Sequence, residues 1–233
     1  MKLRLLAVTL AALTLTAGAA AAQDTTSEKG KLSYALGYDL GRNLAESGEA
    51  IDVATVTKAV QDGFAKKEPG VPVEQLRVAV ENMQKRQQAK MQAEFTKMAA
   101  DNKTKSDAFL AQNKAKAGVK SLPSGVQYKV VEAGSGAKPS AASEVQIQYK
   151  GSLPDGTVLV DTSQAQEGKP AGPVTMKLSQ IPLVGLREAL TQMPTGARWE
   201  VVLPGDKAYG STMQAGRMAN QAVAFDVKLL SVK

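Results

Sequence analysis

The sequence predicts an α+β protein: an N-terminal helical segment, one long linking helix, and a C-terminal bent antiparallel sheet carrying one short helix. Three observations predict it. Apolar residues recur at helical spacing early in the chain, as at Leu32, Leu36, Leu40 and Leu44. No Pro or Gly interrupts the chain from Val73 to Ala117. Beyond Gly118 the pattern changes to short period-two runs between Gly and Pro turns, as in Val145-Gln146-Ile147-Gln148-Tyr149.

Residues 1–22 read as a secretory signal. Lys2 and Arg4 form a charged start, residues 5–16 an apolar run, and Ala20-Ala21-Ala22 a small-residue cleavage site. The run is shorter than the about 20 apolar residues that span a bilayer, so no membrane anchor is expected. The mature chain is expected to be exported, into the periplasm of a Gram-negative cell.

Residues 23–72 form the helical segment. Gly37 and Gly41 lie one turn apart beside the leucine stripe. Glycine inside a helix costs about 1 kcal/mol against Ala, so the pair implies close approach by another helix. Asp52 is placed to cap a second helix whose apolar positions are Val53, Val56, Val60 and Phe64. Glu68-Pro69-Gly70 stops it.

Residues 73–117 form the long connecting helix, roughly 60 Å in length at 1.5 Å per residue. Leu76, Val80 and Met83 share a face, Gln84 to Gln88 is polar all round, and Met91, Phe95 and Met98 make one more apolar patch before residues 100–107 turn polar. So thin a stripe cannot bury a face within one small domain, and two short helices cannot build a core. The N-terminal part is therefore expected to pair with a second copy.

Residues 118–233 form the sheet domain, of ordinary domain size. Strands are expected from Val126 to Val131, around Val145 to Tyr149, from Val158 to Val160, from Trp199 to Leu203 and from Val223 to Val232. Pro154-Asp155-Gly156 is a turn with Pro at its second and Gly at its fourth position. Leu186 to Gln192 reads as the short amphipathic helix.

Composition narrows the chemistry. The 233 residues contain no Cys and no His. This excludes a Ser-His-Asp triad, a Cys nucleophile, a Cys/His zinc site and a disulfide. No cofactor or metal is expected. The formal charge is +7, with Lys and Glu interspersed. No clustered basic stripe with interleaved aromatics indicates nucleic acid as a partner.

The C-terminal half resembles the FKBP-type peptidyl-prolyl cis-trans isomerases. The resemblance rests on Val145-Gln146-Ile147-Gln148-Tyr149-Lys150-Gly151, Leu153-Pro154-Asp155-Gly156-Thr157 and Val160-Asp161-Thr162-Ser163. It continues through Gly196-Ala197-Arg198-Trp199, Ala208-Tyr209-Gly210 and Phe225-Asp226-Val227-Lys228-Leu229-Leu230. The N-terminal half is similar to the helical segment of the macrophage infectivity potentiator and FkpA branch, through Leu32-Ser33-Tyr34-Ala35-Leu36-Gly37 and Leu122-Pro123-Ser124-Gly125-Val126-Gln127-Tyr128. Order and spacing agree over nearly the whole mature chain.

The resemblance implies an FKBP-like fold, a homodimer interlocked through the N-terminal helices, and unfolded or proline-containing polypeptides as substrates. It implies a pocket of Tyr149, Val160, Asp161, Ile181, Leu183, Leu186, Tyr209 and Phe225. Tyr209 would donate a hydrogen bond to a substrate carbonyl, and Asp161 would lie beside the twisting amide. Tyr149 and Phe225 would be aromatic walls, with Val160 as side wall and Leu186 as floor. Phe225 on a period-two strand and Leu186 on a helix face would also be core in any fold. Asp161 and Tyr209 are harder to explain that way.

The chain departs from the family pattern at several rings. Leu186 replaces the usual Trp floor, Val160 the usual Phe before Asp, and Val174 or Met176 another Phe. Arg217-Met218-Ala219-Asn220 stands in place of an apolar Ile-Pro-Pro loop. Trp199 matches a strand position and not the floor. Each aromatic can bury 150–250 Å², so weaker isomerase activity and weak macrolide binding are expected. The competing expectation is a holdase chaperone with a decayed isomerase pocket, for which Met83, Met91 and Met98 offer adaptable contacts.

Overall fold

A computed structural model describes residues 24–165 and 170–233. The expected signal, residues 1–22, lies outside the described residues. Three helices come first: α1 (Glu28–Glu46), α2 (Val53–Phe64) and α3 (Val73–Lys114). α1 starts at Glu28, where the Ser27 side chain accepts the Gly30 N–H and caps it. Asp52 caps α2 through the N–H groups of Ala54 and Thr55. No helix among the described residues is long and apolar enough to cross a membrane.

The chain divides into two compact units between Met83 and Gln84. In the first, apolar side chains stand in solvent: Leu32 is 62% exposed, Leu36 64% and Phe64 93%. α2 has no buried residue. A Cβ built on Gly37 or Gly41 would meet nothing within 4 Å. The stripe predicted from the sequence is present, and no other described element covers it.

The second unit is built on a seven-stranded antiparallel sheet: β1 (Val119–Ser121), β2 (Gln127–Glu132), β3 (Glu144–Ser152), β4 (Val158–Asp161), β5 (Val174–Lys177), β6 (Arg198–Leu203) and β7 (Val223–Val232). Its order is β1-β2-β6-β7-β3-β4, with β5 also on β3. β1 and β5 are additions to the strands predicted from the sequence. The Pro154 turn forms as expected, with the Gly156 N–H on the Leu153 carbonyl at 2.9 Å.

Period two along β3 and β7 sends Val145, Ile147, Val227 and Leu229 into the core. α4 (Val184–Gln192) covers that face with Leu186, Ala189 and Leu190. It packs close because Gly185 has no side chain: a Cβ there would lie 2.9 Å from both Leu203 and Lys207. Burying an aliphatic side chain of this size contributes about 1.5–3 kcal/mol.

The last part of α3 belongs to this unit. It buries Ala99, Asn102, Ser106 and Asn113, one face at helical spacing. Asn113 donates to the Gln127 side chain at 2.9 Å, and Gln127 donates to the Leu110 carbonyl at 3.0 Å.

Candidate active site

The register of three strands makes the cavity. Gly151 on β3 is paired with Val160 on β4 and with Phe225 on β7. A Cβ at Gly151 would lie 2.7 Å from the Phe225 ring and 3.0 Å from Val160. The glycine thus leaves the space in which those two side chains form walls. Two and four residues earlier on β3, Tyr149 and Ile147 point the same way. The Tyr149 and Phe225 rings meet tilted by 56° at 6.2 Å between centroids.

The opposite wall comes from the segment before α4. A 3-10 turn (Leu178–Gln180) ends at Ile181, and Leu183 takes the N-cap position of α4. Ile181, Leu183 and Leu186 are all buried. Pro182, Met176 from β5, and Ala208 with Tyr209 from the β6–β7 loop complete a cavity of about 420 Å³.

Seven of the eight residues singled out from the sequence therefore meet: Tyr149, Val160, Ile181, Leu183, Leu186, Tyr209 and Phe225. Asp161 is not on this lining. It lies in an adjoining charged recess that shares Tyr149 and includes Lys150, Arg198 and Asp226. The reason is strand alternation: Val160 faces the cavity, so Asp161 faces away.

Asp161 is 9% exposed and well bonded. Its Oδ1 accepts from the Ser163 N–H at 3.0 Å and the Ser163 hydroxyl at 2.6 Å, while Lys150 Nζ stands 3.7 Å from Oδ2. The Ser163 bonds, and then Lys150, hold its carboxyl below the usual carboxylate range. Burial, and then the neighbouring Tyr209, push the Tyr149 phenol up. Asp161 is anionic and Tyr149 neutral near pH 7.

Three lining residues are not singled out by the sequence, Ile147, Pro182 and Ala208, and of the alternatives Val174 and Met176 it is Met176 that lies on the lining. Ile147 was readable as the same-face neighbour of Tyr149. Ala208 carries no signal apart from its place beside Tyr209. The Arg217 segment does not give the cavity a charged wall. No residue from Met213 to Asn220 is on the lining, and Arg217 is exposed. Trp199 lies in the core, stacked on Tyr128 at 4.4 Å, away from the floor.

The arrangement offers no nucleophile. It offers an apolar hollow with the Tyr149 phenol in its wall, the exposed Tyr209 phenol beside it, and a fixed carboxylate behind one wall. Such a hollow can hold a proline ring and favour a twisted amide over either planar form, which lowers a rotation barrier without covalent chemistry.

Comparison with known proteins agrees with this geometry. Residues 135–230 match the FKBP-type peptidyl-prolyl cis-trans isomerase family, and residues 29–130 match the domain amino terminal to it. The chain is 42% identical over 236 residues to an outer membrane protein MIP of Legionella longbeachae, covering 100% of this chain and 99% of that protein. It is 37% identical to the peptidyl-prolyl cis-trans isomerase Mip of Coxiella burnetii, covering 91% and 90%. The crystal structure of FkpA from Escherichia coli superposes with a TM-score of 0.68 at 30% identity, covering 89% of this chain and 98% of that one. With both halves of the chain matched in order, this protein belongs to the FKBP-type peptidyl-prolyl cis-trans isomerases, of the Mip and FkpA type.

Proposed function

We propose that the 420 Å³ cavity is where this enzyme isomerises X-Pro bonds of folding polypeptides outside the cytoplasm. An X-Pro bond isomerises in tens to hundreds of seconds unaided, because twisting it breaks amide resonance. Tyr149, Phe225, Val160, Ile181, Leu183 and Leu186 grip the proline ring. The Tyr209 hydroxyl donates to a substrate carbonyl. Asp161 acts from behind the Val160 wall, as a fixed negative charge near the twisting amide. The observation that supports this reading is the meeting of apolar walls and the Tyr209 phenol from six separate segments in one hollow.

Export rests on the pattern of residues 1–22 and agrees with the name of the Legionella relative, an outer membrane protein; the periplasm is the compartment proposed. Residues 23–72 serve pairing, 73–117 connect, and 118–233 carry the activity. The pairing is of two identical chains, supported by the exposed Leu32, Leu36 and Leu40 of α1. With Leu186 as floor and Val160 and Met176 at positions where the family usually has rings, turnover is reduced and macrolide ligands bind weakly. Turnover at the usual family level together with tight macrolide binding contradicts that last point.

The test is catalysis of isomerisation in a short X-Pro peptide by the mature chain. Asp161→Ala with Tyr209→Phe should abolish it. No catalysis by a folded wild-type chain would instead favour a holdase with a decayed pocket. That alternative has its own readout: suppressed aggregation of a client that has no proline-limited folding step.

A further inference from the structure

Tyr209 sits on the β6–β7 loop and is 42% exposed. The loop is built from uncommon backbone. Gly210 and Gly216 have φ of 81° and 53°, and Asn220, not a glycine, has φ of 59°. A non-glycine residue in this region persists only where its surroundings hold it.

Asn220 is held from two sides. Its N–H donates to the Gly210 carbonyl at 2.8 Å, and the Gly210 N–H donates to the Gly205 carbonyl at 2.8 Å. A Cβ on Gly205 would lie 2.5 Å from the Asn220 carbonyl carbon, so the turn that carries Tyr209 closes directly onto Asn220. On the other side stands α3. The Asn220 Nδ2 donates to the Ala99 carbonyl at 3.1 Å, and Ser106 Oγ donates to the Asn220 carbonyl at 2.8 Å. Ser106 Oγ also accepts the Ala222 N–H at 2.7 Å. Asn102 Nδ2 donates to the carbonyls of Arg217 and Ala219 at 3.1 and 2.9 Å.

Ser106 and Asn102 are buried polar side chains. Burying them is unfavourable unless they are bonded, and each of their side-chain bonds named here goes to the backbone of this one loop. A helix that served only to cover the sheet would do so with apolar side chains. α3 instead presents a donor and acceptor set matched to the loop that carries Tyr209.

We propose that Ser106 and Asn102 are positioning residues for the isomerase reaction. Ser106 through Asn220, and Asn102 through the carbonyls of Arg217 and Ala219 just before it, hold the β6–β7 loop so that Tyr209 stays on the cavity wall. The proposal rests on the reading of Tyr209 as the donor to substrate. Releasing the loop lowers the fraction of chains with Tyr209 in place. Apparent affinity falls with that fraction, while a chain that has bound substrate correctly turns over as before.

The test is a double-mutant cycle in the full mature protein, read as KM and kcat on an X-Pro peptide. Ser106→Ala should raise KM about ten-fold at unchanged kcat. In a Tyr209→Phe chain the same change should move KM less than about two-fold, because nothing is left for the bridge to position. Asn102→Ala should behave in the same way, and it replaces Ser106→Ala should the latter not fold. Equal fold-changes in both backgrounds, or an unchanged KM in a folded Ser106→Ala chain, overturn the bridge alone. A Tyr209→Phe chain as active as wild type overturns the assignment of Tyr209 itself.

Discussion

In residues 24–83 the large apolar side chains, Leu32, Leu36 and Phe64 among them, stand in solvent, whereas in residues 84–233 Ile147, Leu190, Leu203 and Leu229 are closed off from it. Aliphatic residues are plentiful in both. The difference lies in what the local pattern can build. A stripe on two short helices has one face to bury and no opposing layer. A sheet with alternating side chains and a helix across it supplies both layers. The second unit is therefore stable by its own packing, whereas the first leaves its apolar stripe for the second chain proposed above to cover. The candidate active site lies wholly in the self-sufficient unit.

The sharpest way to test that contrast is to damage each core in turn. Leu229→Ala removes a fully buried side chain from the sheet core. It should cost about 2–5 kcal/mol in unfolding free energy while leaving association unchanged. Urea unfolding and sedimentation together check this. Leu36→Asp is the counterpart in α1. An exposed position of a single chain tolerates such a change within about 0.5 kcal/mol. If Leu36 is covered by a partner, losing a buried leucine weakens pairing by about 1.5–3 kcal/mol, at least ten-fold in the dissociation constant. Sedimentation equilibrium that shows the same pairing in wild type and Leu36→Asp would break the comparison.

Smaller effects sharpen it. Arg198 donates two bonds to Asp226, at 2.8 and 2.6 Å, on the partly exposed face of β6 and β7. Asp226 raises the guanidinium pKa further above its usual value. The pair remains open to solvent, so Arg198→Ala should lower the unfolding temperature only slightly, and by less in high salt. Thermal unfolding at two salt concentrations reads this out.

The smallest effect expected is that of pH on activity. The Asp161 pKa is depressed in the folded chain. Its contribution to stability is therefore present above about pH 4 and lost as pH falls through the depressed value. Tyr149 is shifted the other way, so its neutral form is favoured up to and beyond its usual range of about 10. The chain has no His to titrate between them. The pH–rate profile should be flat from about pH 5 to pH 9. A bell centred near pH 7 would mean that a general acid or base acts in the reaction.

Much of the fold was legible because periodicity is strong where one face is buried. α2 was read with its Asp52 cap, and β7 and the Pro154 turn followed from alternation and turn chemistry. β1 and β5 were not seen. At three and four residues they are too short to show a period, and pairing with β2 and β3 defines them. The cavity was legible through its aromatic and aliphatic residues on known motifs. The position of Asp161 behind the Val160 wall was not, since the motif gives adjacency along the chain and alternation turns neighbours to opposite faces. The least legible feature was the face of α3. Residues 100–107 read as a solvated polar run, and a sequence does not distinguish an Asn or Ser facing water from one facing a loop more than one hundred residues away. Asn102 and Ser106 proved to be the second kind.

We propose that the two units divide the labour, with chemistry in the sheet unit and pairing in the helical one. The test compares wild type with a Leu36→Asp chain that sedimentation shows to be single, on a short X-Pro peptide. The same kcat/KM per chain is expected. A loss of activity on separating the chains would contradict it, and would place part of the catalytic arrangement in the partner.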